Sequence, residues 1–141
     1  MEVEVLFERG SPLAERLAAE GPHSDGAALI RRARELAAQL TPQERAATLA
    51  AHPRIGGDRS RMSAVSRAEQ GDDDVPELAK LNAEYERRFG FRFVTFVNRR
   101  TKRAIAEELR MRLRNGRDQE LVAGVNAVID IAADRLARSR P

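Results

Sequence analysis

Thr41-Pro42-Gln43-Glu44-Arg45-Ala46-Ala47-Thr48-Leu49-Ala50-Ala51-His52-Pro53 reads as one complete helix with its start and stop both encoded. Thr41 and Glu44 stand three residues apart. The Thr41 hydroxyl can therefore accept from the Glu44 N–H while the Glu44 carboxylate reaches back to the Thr41 N–H. Pro42 takes the first helical position, where a missing N–H removes no bond. At the other end Pro53 disfavours helical geometry at His52, so the helix runs to about Ala51 and leaves a histidine at its C-terminus.

The same punctuation continues outward. On the N-terminal side, Ser11-Pro12 opens a short helix that Gly21-Pro22 ends. A second helix starts near Ser24 or Asp25, with Leu29, Ala33, Leu36 and Leu40 at three- and four-residue spacing. On the C-terminal side, residues 54 to 64 carry Gly56-Gly57 and read as a loop. A turn or short helix follows around Ser66 to Gln70, then the acidic loop Asp72-Asp73-Asp74. Leu78, Leu81 and Tyr85 mark a helix from Pro76 to Phe89, closed by Gly90. Thr101 caps another to about Arg114, and Asn115-Gly116 breaks it. Leu121, Val125, Val128, Ala132 and Leu136 line one face of a last helix from Asp118 to about Arg138.

One stretch departs from the helical period. Phe91-Arg92-Phe93-Val94-Thr95-Phe96-Val97 is β-prone and nearly alternating, and Val3 to Phe7 is the only segment able to pair with it. A buried extended connector is the preferred reading over a strand pair. The expectation is an all-α, single-domain bundle over residues 1–141, with about seven helices and a short extended connector around residues 91–98.

Composition narrows the function classes. The 141 residues include 42% hydrophobic and 33% charged side chains, a globular balance, with 4% aromatics and no Trp. Absence of Cys excludes disulfides, thiolate metal sites and a cysteine nucleophile. The net charge is +3, with arginines scattered among Asp and Glu rather than gathered in a stripe, so nucleic-acid binding is not expected. No apolar run reaches the roughly 20 residues of a membrane span, and the N-terminus has no signal-peptide pattern, so a cytoplasmic protein is expected.

Few residues here can move protons near neutral pH. Of the two histidines, His23 lies in a loop, where a solvated ring is expected. His52 has two readings: a helix-terminal histidine satisfying free carbonyls, or an acid/base group on a backbone stiffened by Pro53. The helix dipole at that position favours the imidazolium. Ser66-Arg67-Ala68-Glu69-Gln70 also has two readings, and by its residues alone the capping box of a helix start is preferred over a functional role. Arg135 lies one turn beyond Ile131, at the flank of the apolar stripe, and either snorkels to solvent or meets a carboxylate bidentately. No metal-ligand spacing, phosphate loop or nucleophile elbow occurs, so no metal is expected.

Three segments in order, His52-Pro53-Arg54-Ile55-Gly56, Ser66-Arg67-Ala68-Glu69-Gln70 and Asn82-x-x-Tyr85-x-x-Arg88-Phe89-Gly90-Phe91-x-Phe93, carry a resemblance. With Leu6-Phe7, Ser11-Pro12 and Ile131-Ala132-x-x-Arg135-Leu136, the chain resembles the 2-oxo-4-hydroxy-4-carboxy-5-ureidoimidazoline (OHCU) decarboxylase family over nearly its whole length. Asp58 and Arg59 after Gly56-Gly57, and the acidic Asp72 to Asp74, depart from the family's usual loops.

The resemblance implies an all-helical, cofactor-independent carboxy-lyase, often a homodimer, that converts OHCU to (S)-allantoin in the last step from urate. It implies that His52 is the catalytic acid/base, with Glu69 and Arg135 as polar partners of the substrate. Pro53, Ser66, Arg67, Ala68, Gln70 and the backbone of Phe93, Val94, Thr95, Phe96 and Val97 would line the pocket. A same-fold enzyme on another ureide, or a non-catalytic helical interaction domain, are the alternatives.

Overall fold

The structure, a computed structural model, describes residues 2–53 and 76–139. Among these it contains seven α-helices: α1 (Val3–Leu6), α2 (Pro12–Ala19), α3 (Gly26–Ala37), α4 (Pro42–Ala50), α5 (Pro76–Phe89), α6 (Lys102–Arg112) and α7 (Arg117–Ser139). Their starts follow the caps read from sequence. Ser11 accepts from the Ala14 N–H, Asp25 from Ala28 and Thr101 from Ala104. Thr41 and Glu44 complete a reciprocal capping box at α4. Gly90 ends α5 at φ +81, a left-handed conformation open to glycine at little steric cost.

Two boundaries differ from the sequence reading. Val3 to Phe7 is not a strand but a helical turn, because helical spacing buries Val3 and Leu6 together and leaves Val5 54% exposed. The helix after Thr101 stops at Arg112, and Arg114 and Asn115 continue it only through tighter bonds to Met111 and Arg112. The segment Ser66 to Gln70 and the loop of residues 54 to 64 lie outside the described residues, as does Asp72 to Asp74.

Helix α7 is the axis of the packing. Its buried face (Leu121, Val125, Val128, Ile129, Ala132, Leu136) meets α1, α3 and α4. Gly124 sets the distance to α4: a Cβ there would lie 2.8 Å from a Leu49 methyl. The missing side chain therefore lets α4 lie close against α7, which brings the C-terminal end of α4 near the last turns of α7.

Residues 91–97 form no strand and no helix. They are the expected extended connector, and their alternation has a physical cause. Phe91 and Phe93 point inward to pack edge-on against Tyr85, at centroid distances of 5.9 and 5.3 Å. A buried network fastens the connector from the other side. Glu120, fully buried, accepts from Tyr85 Oη, Arg112 Nε and Asn115 Nδ2 at 2.7, 2.7 and 2.8 Å. Arg112 also donates to the Val94 carbonyl at 3.0 Å and stacks over the Phe93 ring. No described helix is long and apolar enough to cross a membrane.

Candidate active site

His52 sits just past α4. Its N–H closes the last turn onto the Leu49 carbonyl at 3.1 Å, and Pro53 then prevents further winding. The carbonyls left over at this end are taken by Arg92: one Nη1 donates to Ala50 O at 2.8 Å and to His52 O at 2.7 Å. The imidazole is thus not needed as a cap for the helix. It is buried at 5% exposure, and its Nε2 has no hydrogen-bond partner among the described residues.

That burial decides the charge. Desolvation lowers the His52 pKa from 6.5 to about 4, the Glu8 carboxylate pulling it up and the Arg135 guanidinium pushing it further down. The preference of the helix dipole for the imidazolium is therefore outweighed, and burial favours the neutral ring at neutral pH. A helix terminus offers a charged ring typically 0.3–1 kcal/mol, which full desolvation outweighs.

Arg135 reaches the same place from α7, 83 residues further along the chain by the difference 135 − 52. Of its two sequence readings, snorkelling to solvent is the wrong one, since the side chain is only 9% exposed. The other reading, a carboxylate partner, has a described counterpart in Glu8. Nη2 meets Glu8 Oε1 at 3.2 Å, while Nη1 donates to the Leu6 carbonyl at 3.2 Å. The turn of α1 thus places one carbonyl and one carboxylate where they orient the guanidinium. His52, Arg135 and Glu8 form an electrostatically coupled group contributed by the ends of three helices.

The connector residues divide by chemistry. Phe93 and Val94 bury their side chains in the core. The Thr95 hydroxyl donates to Glu108 at 2.6 Å. Burial raises the Glu108 carboxyl, but the Thr95 and Arg100 hydrogen bonds outweigh that and hold it below the usual carboxylate value. Phe96 and Val97 are half-buried against the core. The carbonyls of Val94, Phe96 and Val97 accept from Arg112 and Arg100, whereas the N–H groups of residues 93–97 have no partner among the described residues. What this stretch can offer a ligand is a row of backbone donors. Thr95 and Phe96 also border a groove of about 470 Å³ with Arg100 and Asp130, which neither His52 nor Arg135 lines.

Pro53 is half-buried beside His52. Ser66, Arg67, Ala68, Glu69 and Gln70 lie outside the described residues. His23 is not the solvated loop histidine expected: its Nε2 donates to the Leu17 carbonyl at 2.9 Å. Sequence reasoning missed Glu8 and Arg92. Nothing in the spacing of Phe7-Glu8-Arg9 marked Glu8. Arg92 did carry a signal, because alternation that turns Phe91 and Phe93 inward turns Arg92 the other way.

The profile of the OHCU decarboxylase family matches residues 2–137. The chain belongs to the OHCU decarboxylase family. It is 30% identical over 139 residues to the uric acid degradation bifunctional protein PucL of Bacillus subtilis, covering 94% of this chain and 28% of that protein. The chain therefore spans little more than a quarter of the length of that bifunctional relative. Against the 2-oxo-4-hydroxy-4-carboxy-5-ureidoimidazoline decarboxylase of Haloferax volcanii it is 29% identical, covering 94% of this chain and 83% of the relative. A crystal structure of an OHCU decarboxylase obtained in the presence of (S)-allantoin superposes with a TM-score of 0.78 at 24% identity, covering 98% and 97% of the two chains. Family membership and the helical fold thus agree.

Proposed function

We propose that this protein, acting as one domain, decarboxylates OHCU to (S)-allantoin without a cofactor. The observation that carries the reading is the neutral, buried His52 with an Nε2 unpartnered among the described residues, held beside Arg135 in a chain of this family. The substrate's carboxylate sits next to a ring C=N carbon, so the bond to CO2 can break with its electron pair flowing into the C=N. The ring nitrogen takes up a proton, the hydroxyl proton leaves as the ring carbonyl forms, and one proton is added to a single face of the former C=N carbon. Substrate carboxylate plus one proton gives allantoin plus CO2.

A neutral imidazole suits this sequence. It can accept the hydroxyl proton and return one to carbon, and an anionic substrate close to Arg135 raises its proton affinity by offsetting the guanidinium. Arg135 holds a substrate oxygen or the carboxylate. Backbone N–H groups of residues 93–97 fix carbonyls. Glu69 anchors ring or ureido N–H groups, with Pro53 and the Ser66 to Gln70 run lining the pocket. The reading carries with it a cytoplasmic homodimer, taken from the family resemblance; light scattering on the purified protein reports the dimer.

Spontaneous decay of OHCU gives racemic allantoin. OHCU generated in situ and followed by circular dichroism should yield (S)-allantoin faster than background when the protein is added. Racemic product at the background rate overturns the assignment, and turnover of a different ureide would favour the same-fold alternative.

A further inference from the structure

Arg92 stands between two inward-facing phenylalanines, so the extended backbone turns its side chain away from the core and toward α4. There its Nη1 donates to the carbonyl oxygens of Ala50 and His52, at 2.8 and 2.7 Å. The Ala50 carbonyl is one for which a helix ordinarily needs a capping donor, the His52 carbonyl lies just past the cap, and a histidine at that position is itself a ready donor. The geometry points to Arg92 as a positioning residue for His52: by taking the α4 terminal carbonyls it fixes the backbone carrying the ring and leaves the imidazole free to face Glu8 and Arg135. The inference rests on the proposed role of His52 in decarboxylation.

The alternative arrangement is concrete. With the carbonyls vacated, the imidazole N–H has acceptors next to it at the negative end of α4, and the charged ring gains a favourable site. His52 now faces Glu8 after α1 and Arg135 from α7, with Arg92 behind its own carbonyl, and burial holds it neutral. Arg92 makes no contact that requires it to touch substrate. Its contribution is to the orientation and protonation of the group that does.

The test uses Arg92→Met and Arg92→Lys in the full chain, with the imidazole signals titrated by NMR. The chain has two histidines, and a His23→Gln background leaves His52 alone. In Arg92→Met the His52 midpoint should rise by about 0.2–0.7 pH unit. Turnover should drop about tenfold while KM changes less than about threefold, since orientation of the base is lost and substrate contacts are not. Arg92→Lys, which keeps a charged donor, should restore both. Should Arg92→Met not fold, Arg92→Gln replaces it, retaining a donor without the charge.

An unchanged midpoint with unchanged turnover overturns the inference. So does a loss of turnover that leaves the midpoint in place and that Lys does not rescue, for that is a stability effect alone. The NMR readout stands apart from catalysis. If His52→Asn turns over normally, the decarboxylase role of His52 fails while the midpoint in Arg92→Met still decides whether Arg92 holds the ring.

Discussion

At His52 two opposing physical effects meet, and their sizes decide the chemistry. The end of α4 favours a charged ring by a fraction of a kcal/mol, while removal from water lowers the pKa to about 4. Glu8 works against that lowering and also orients Arg135, so Glu8→Gln has two consequences. The His52 midpoint should fall further, because a neighbouring charge that favours imidazolium is gone. Stability should drop on the order of 1–2 kcal/mol in urea melts, because the buried guanidinium loses a carboxylate. A midpoint that rises in Glu8→Gln would mean that Glu8 does not face the ring. His52 itself was legible as the residue to examine, since a histidine between Ala51 and Pro53 has a fixed place. Its charge was not legible. The dipole is a property of the helix that carries it, whereas burial comes from α1 and α7, far away in sequence.

Between elements, the close approach of α4 to α7 sets the site. Gly124 permits it, and Leu49 fills the space a Cβ would occupy. Gly124→Ala forces that fully buried leucine to shift, with an expected loss of about 1–3 kcal/mol by urea denaturation. Turnover should fall as well, because the end of α4 carrying His52 moves with it; a variant as stable and active as the parent would mean the two helices can part without consequence. Helix starts were readable here because Ser11, Asp25, Thr41 and Thr101 satisfy N–H groups within their own turn. The turn Val3–Leu6 was not, since four residues hold too short a period to separate helix from strand. Packing of Leu6 and Phe7 into the core settled it. The connector was readable for the opposite reason: its β-prone residues had only short Val3 to Phe7 as a possible partner, and bonds from Arg112 and Arg100 replace a sheet ladder.

For the molecule as a whole, one buried neutral histidine ties stability to pH. Its folded pKa, about 4, lies below the ordinary 6.5, so the unfolded chain binds the proton first as pH falls. The stability contributed by the neutral ring is complete above about pH 6.5 and is lost progressively toward pH 4, on the order of 3 kcal/mol across that window. Urea midpoints at pH 7 and pH 4.5 should differ accordingly, and His52→Asn should flatten the dependence in this range. An equally steep fall in the variant would assign the effect to other groups. The family match spans residues 2–137, and the fold brings Arg135 close enough to His52 to lower its pKa. The proposed function turns on a proton moved by His52. With OHCU generated in situ at neutral pH, the parent protein should give optically active (S)-allantoin, and His52→Asn should lose at least about 10²-fold in turnover, its product drifting to the racemate of spontaneous decay. A His52→Asn protein that still makes (S)-allantoin at the parent's rate would place the proton transfer elsewhere.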